Sequence, residues 1–218
     1  TTTMFDASDA GVYVNRVAIF GYDYAGSFNQ STSATVDTDD VILTLQNPSD
    51  LDDMEFVAWA DNNQQKVAGM TTGLPDGYSQ ALERAWKVQV TDASGSDGLG
   101  TVDVVFNLAN QTAIGAALTN TNYKLLIDQD GDGIFTDAIT SSISASRTGS
   151  VVTFSAVPAS ELVDGAVLTL ANPGAILTYP VIAPALIPVL NEAVANDGTL
   201  DAADNPMTVT LENDTFDT

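Results

Sequence analysis

The sequence predicts an all-β protein: an antiparallel β-sandwich of roughly nine strands, Greek-key in type, with an extended proline-rich C-terminal tail that ends in a strand. Three observations carry this. Over residues 1–172, short runs rich in Val, Ile, Leu and aromatics are punctuated by Gly, Asp, Asn and Ser. Two runs alternate with period two. Arg84–Val90 puts Trp86, Val88 and Val90 on one face and Lys87 and Gln89 on the other, and Thr101–Leu108 turns Val102, Val104, Phe106 and Leu108 inward. Finally, no stretch carries a helical period, although Ala113–Leu118 is long enough for one turn.

The elements follow in order. After a polar lead-in, Thr1–Gly11, a strand is expected over Val12–Gly21 and a loop over Tyr22–Asp40. Val41–Gln46 is a strand with Val41, Leu43 and Leu45 on one face, stopped by Asn47-Pro48. Met54–Ala60 is the next strand, and Asp61–Tyr78 is a long polar loop. Arg84–Val90 and Thr101–Leu108 flank the Gly/Asp/Ser turn Asp92–Gly100 and read as a hairpin. Tyr123–Ile127, Val151–Ala156 and Ala166–Ala171 supply further strands.

At residue 173 the character changes, which divides the chain into a sandwich domain, 1–172, and an extension, 173–218. Gly174–Leu190 carries no charge, and Pro180, Pro184 and Pro188 recur along it. Such prolines forbid a regular helix and favour an extended path, so membrane insertion is not expected. A run this apolar needs protein cover. After a polar linker, Pro206–Glu212 alternates again. Tyr179, Val181, Ile182, Leu186 and Ile187, with Met207, Val209 and Leu211, are the candidate assembly residues. The last three have the pattern of a strand donated to another sheet edge, or of the final strand of their own domain.

Charge narrows the function. There are 29 acidic residues against 6 basic ones, a net charge of −23, and 24 of the acids are Asp. Nucleic-acid binding needs clustered Lys and Arg and is excluded. An anionic membrane surface is disfavoured as well. The balance suits a secreted protein in salt- or divalent-rich water. With no Cys and no His, disulfides, thiolate catalysis, His/Cys zinc sites and Ser-His-Asp triads are absent. The chain begins T-T-T-M-F-D-A-S without a signal-peptide pattern, which implies a processed protein or a piece of a longer one.

The densest chemistry lies in Asn122–Asp137, where a strand runs into D-Q-D-G-D-G-I-F-T-D. Three carboxylates at i, i+2 and i+4 repel each other unless a cation sits among them. D-x-D-x-D-G is the first half of a calcium loop. The candidate ligands are the side chains of Asp128, Asp130 and Asp132, the backbone carbonyl of Ile134, and Asp137. The second half departs from an EF-hand, with Ile139 at position 12 and no helix before the loop. The alternative is a solvated Asp/Gly turn.

Glu55, Glu83, Glu161, Glu192 and Glu212 are too dispersed to nominate a glycosidase pair, so no enzyme activity is expected. Trp59, Trp86, Tyr22, Tyr24 and Tyr78 are candidates for a glycan-stacking platform, with Trp86 reading as core. Lys87 and Lys124 sit in strands, where a Lys–Asn crosslink is conceivable. Asn29, Asn110 and Asn213 stand in N-x-S/T sequons. Asp197–Asn205 lacks the two-residue spacing and reads as a linker.

Taken together, the R-A-W-K-V strand, the F-V-A-W-A-D-N strand and the D-Q-D-G-D-G-I-F loop resemble a β-sandwich module of large bacterial surface and adhesin proteins, one found after a LamG-like, concanavalin-type domain. The resemblance spans Val12–Ala171. It implies an extracellular, non-enzymatic role and carries the acidic loop onto Asp128, Asp130 and Asp132. The resulting expectation is a cell-surface filament or sheath subunit that self-associates through its extension. The alternative is a calcium-stabilised adhesin or carbohydrate-binding module of a larger protein.

Overall fold

The computed structural model describes residues 4–37, 40–65, 69–92, 99–109 and 122–173. The chain divides into two units, Thr1–Ile176 and Leu177–Thr218, and all described residues belong to the first. The expected turn Ala113–Leu118 and the assembly residues Tyr179, Val181, Ile182, Leu186, Ile187, Met207, Val209 and Leu211 lie outside the described residues.

The described chain forms two antiparallel sheets, as expected for a sandwich. A short helix, α1 (Ala7–Ala10), precedes β1 (Asn15–Asp23), β2 (Phe28–Gln30), β3 (Thr32–Asp37), β4 (Asp40–Gln46), β5 (Glu55–Asp61) and β6 (Tyr78–Ala81). Then come β7 (Trp86–Asp92), β8 (Thr101–Asn107), β9 (Lys124–Asp128), β10 (Ile139–Thr140), β11 (Ser146–Thr148), β12 (Val151–Pro158) and β13 (Val167–Pro173). The larger sheet runs β10-β9-β13-β7-β5-β1-β2, with β6 beside β13, and the smaller runs β11-β12-β8-β4-β3.

The pleat sends alternate residues to opposite faces, and the inner faces build one core. Phe20, Trp59, Trp86, Leu125 and Leu168 from the larger sheet meet Leu43, Leu45, Phe106 and Phe154 from the smaller. Trp86 and Phe106 pack edge-to-face across the gap at 5.7 Å. The larger sheet also covers part of its outer face. There Leu126 and Val167 join Tyr13, Ala85 and Phe135 in a second apolar cluster. All seven residues of β5, in the interior of this sheet, are buried as well, although none of them belongs to the second cluster.

Four expectations are corrected. Arg84–Val90 and Thr101–Leu108 are not a hairpin: β7 pairs with β5 and β13, and β8 with β4 and β12, in opposite sheets. Both strands bury one face in the same core, so both alternate, and alternation does not say which strand is the partner. Tyr22–Asp40 is not one loop, because it holds β2 and β3, whose Thr, Ser, Asn and Gln residues carry no apolar stripe. Val41 does not share a face with Leu43 and Leu45. Leu43 faces Thr35 and Val41 faces Val36, so Ile42 is an extra residue, a β-bulge that turns Val41 outward. The first strand starts at Asn15, and Val12 and Val14 precede it as exposed residues.

Candidate metal centre

Asp128 is the last residue of β9, facing Val167 of β13, and it is 1% exposed. Its carboxylate organises the turn that follows. Oδ1 accepts from the Gly131 N–H at 3.1 Å and Oδ2 from the Gly133 N–H at 2.7 Å. Asp130 Oδ1 accepts from the Asp132 N–H at 3.3 Å, and Asp132 Oδ1 from the Ile134 N–H at 2.7 Å. These are Asx-type bonds, the reason Asp suits such a turn. Gly131 and Gly133 sit at φ +73° and +84°, the left-handed region that glycine enters without strain.

The loop gathers Asp128, Asp130 and Asp132, with one carboxylate oxygen from each within 4.8 Å of the others. This set of oxygens could hold a metal ion. Asp130 and Asp132 are exposed while Asp128 is buried. Burial raises the Asp128 carboxyl above its usual range, the donors at Gly133 and Gly131 oppose this, and the neighbouring Asp130 adds to it. Ile134 exposes its side chain, 53%, with its backbone in the turn. Asp137 is exposed, further along towards β10, and is not one of the three gathered carboxylates.

Contacts on several sides pin the loop to the rest of the domain. The Gly131 carbonyl accepts from Lys87 Nζ at 3.2 Å, and a Cβ at Gly131 would lie 2.3 Å from the Gly165 carbonyl oxygen. Gln129 Nε2 donates to the carbonyls of Ser160 and Glu161. Phe135 anchors the far side, buried in the outer cluster beside Tyr13. Tyr13 itself is 8% exposed, and its hydroxyl lies 2.9 Å from the position a Cβ would take on Gly133. Burial, then the charges of Asp128 and Asp132, push it up to about 12, so it keeps its proton and can only approach those carboxylates as a donor.

The sequence brought Asp128, Asp130 and Asp132 together because their spacing is local. It missed Tyr13, Lys87 and Gly165 as neighbours, and no pattern in the chain pairs them with the loop. Of the aromatics weighed for glycan stacking, Trp59 and Trp86 are core residues, and the Trp86 Nε1–H donates to Thr35 Oγ1 at 3.2 Å. Tyr22 is half-buried in β1, and Tyr78 is half-buried and bonded to Thr140. Tyr24 is 76% exposed after β1. Glu55 is buried in β5, and Glu161 accepts from Ser142. Asn29 is exposed in β2, while Asn110 and Asn213 lie outside the described residues. Among the described residues no helix is long and apolar enough to cross a membrane.

No curated protein and no solved structure matches the chain. A family model described as a domain of unknown function, DUF8202, matches residues 1–165 of the 218. The all-β domain and its acidic loop therefore belong to a protein of the DUF8202 family.

Proposed function

We propose that this protein is a non-enzymatic structural module of the bacterial cell surface, a β-sandwich whose acidic loop takes up calcium to become rigid. The observation that carries the reading is the gathered trio Asp128, Asp130 and Asp132, rooted on a buried carboxylate at the end of a core strand. The donors are all oxygen, the ligand class of hard cations. Calcium is favoured over magnesium because it accepts irregular coordination, including a backbone carbonyl such as that of Ile134. The acidic surface fits an extracellular, divalent-rich setting, where cations screen self-repulsion.

Binding to the folded state alone adds about 2.7 kcal/mol at a hundred times Kd. Calcium should therefore raise the melting temperature by several degrees over a chelator control at matched ionic strength. Asp130→Asn, an exposed change, should remove most of that gain. An unchanged melting temperature with calcium would refute the reading.

A second reading concerns assembly. The uncharged run Gly174–Leu190 and the alternating Met207, Val209 and Leu211 support self-association through the extension, in a filament or sheath. A chain ending at Pro173 should be a folded monomer while the full chain forms polymers, read by sedimentation and negative-stain microscopy. A monomeric full chain at high concentration would end this reading.

A further inference from the structure

The segment before β1 is laid on the larger sheet by its own hydrogen bonds. Asp6 caps α1, accepting from the Ser8 N–H at 2.8 Å. It also exchanges two bonds with Gln89 of β7: its N–H donates to Gln89 Oε1 at 2.7 Å, and its carbonyl accepts from Gln89 Nε2 at 2.8 Å. The chain then turns, with the Tyr13 N–H donating to the Ala10 carbonyl at 3.0 Å, and drops the Tyr13 ring beside Phe135, Leu126 and Val167. Phenol hydroxyls usually find a partner, in protein or in water. Among the described residues the Tyr13 hydroxyl makes no hydrogen bond, and it lies 2.9 Å from where a Cβ on Gly133 would sit, beside the acidic loop.

We propose that Tyr13 is a positioning residue of the cation site: once the loop is occupied, its hydroxyl donates to a ligating carboxylate, Asp128 or Asp132, directly or through an ion-bound water, and so fastens Met4–Val14 to the sheet. This rests on the cation reading above. It gives the unpartnered hydroxyl a role that packing alone does not need, since a phenylalanine would fill the same apolar space. Coupling is reciprocal: if the cation tightens the segment, the seated segment tightens the cation.

The test uses the full chain, calcium chloride as the probe, and Tyr13→Phe. A hydrogen bond to a charged group is worth about tenfold in affinity. Calorimetric titration should show about tenfold weaker calcium binding in Tyr13→Phe, with an unchanged melting temperature in chelator. Hydrogen exchange over Met4–Val14 should slow on adding calcium in the wild type and not in the variant. Equal calcium affinity in the two proteins overturns this inference and leaves the cation reading standing. No calcium binding by the wild type overturns both. If Tyr13→Phe melts early in chelator, the wild-type exchange decides: no slowing over Met4–Val14 with calcium overturns the proposal.

Discussion

Asp61 is fully buried in β5, a costly place for a charge unless it is paired. Arg16 meets it with a fork, its Nε donating to Oδ2 at 2.6 Å and its Nη2 to Oδ1. The Asn63 N–H adds a bond at 2.8 Å. Arg84 Nε lies 4.0 Å away, and Arg84 Nη1 bonds Asp37 of the other sheet at 3.0 Å. Two arginines and two aspartates thus tie both sheets together at one end of the sandwich. Removing one partner of a buried pair strands the other, so Asp61→Asn should cost about 3–5 kcal/mol, measured by urea unfolding. None of this was legible in the sequence. Arg16 reaches Asp61 across 45 positions, and it does so because a bulge between Asn15 and Ala18 places it at φ +51°. The acidic-loop carboxylates were legible for the opposite reason: a spacing of two residues already places them side by side.

Among the elements, the strands read from the sequence are those with clear apolar runs, β1, β4, β5, β7, β8, β9, β12 and β13. The short polar strands escaped because sheet pairing, not hydrophobic pattern, makes them strands. β3 shows the cost of overlooking such a strand. Its Thr35 is 1% exposed, and Thr35 Oγ1 takes the indole N–H of Trp86 from across the core. The same oxygen sits 3.3 Å from the backbone N–H and carbonyl oxygen of Leu43, beside the Ile42 bulge. One hydroxyl thus serves the bulge and the tryptophan together. Thr35→Val keeps the shape and removes the acceptor, so it should destabilise the fold by about 1–3 kcal/mol in denaturant melts. The mistaken hairpin has the same root: a strand's inward face is local information, whereas its neighbour depends on the whole topology.

At the scale of the molecule, the described sheets end in edge strands of two, three, three and six residues, namely β10, β2, β11 and β3. Short edges and a net charge of −23 both discourage accidental sheet-to-sheet pairing. The position of β13 has a sharper result. It lies in the interior of the larger sheet, bonded to β9 on one side and to β7 and β6 on the other. The family match stops at residue 165, two positions before this strand begins. A chain ending at Gly165 should therefore show no cooperative thermal transition by circular dichroism, whereas one ending at Pro173 should melt in a single step. The composition gave β13 as a strand, but that it would be central was not readable, since only long-range pairing decides it.

Ribosomes deliver a chain from its N-terminus onward, and here the slot between β9 and β7 stays vacant until nearly the last sandwich residue has emerged. The nascent polypeptide cannot lock early, so it remains pliable for as long as translation handles it. Closure then comes as one late event, and a prematurely terminated product is left with the gap unfilled and exposed to proteases.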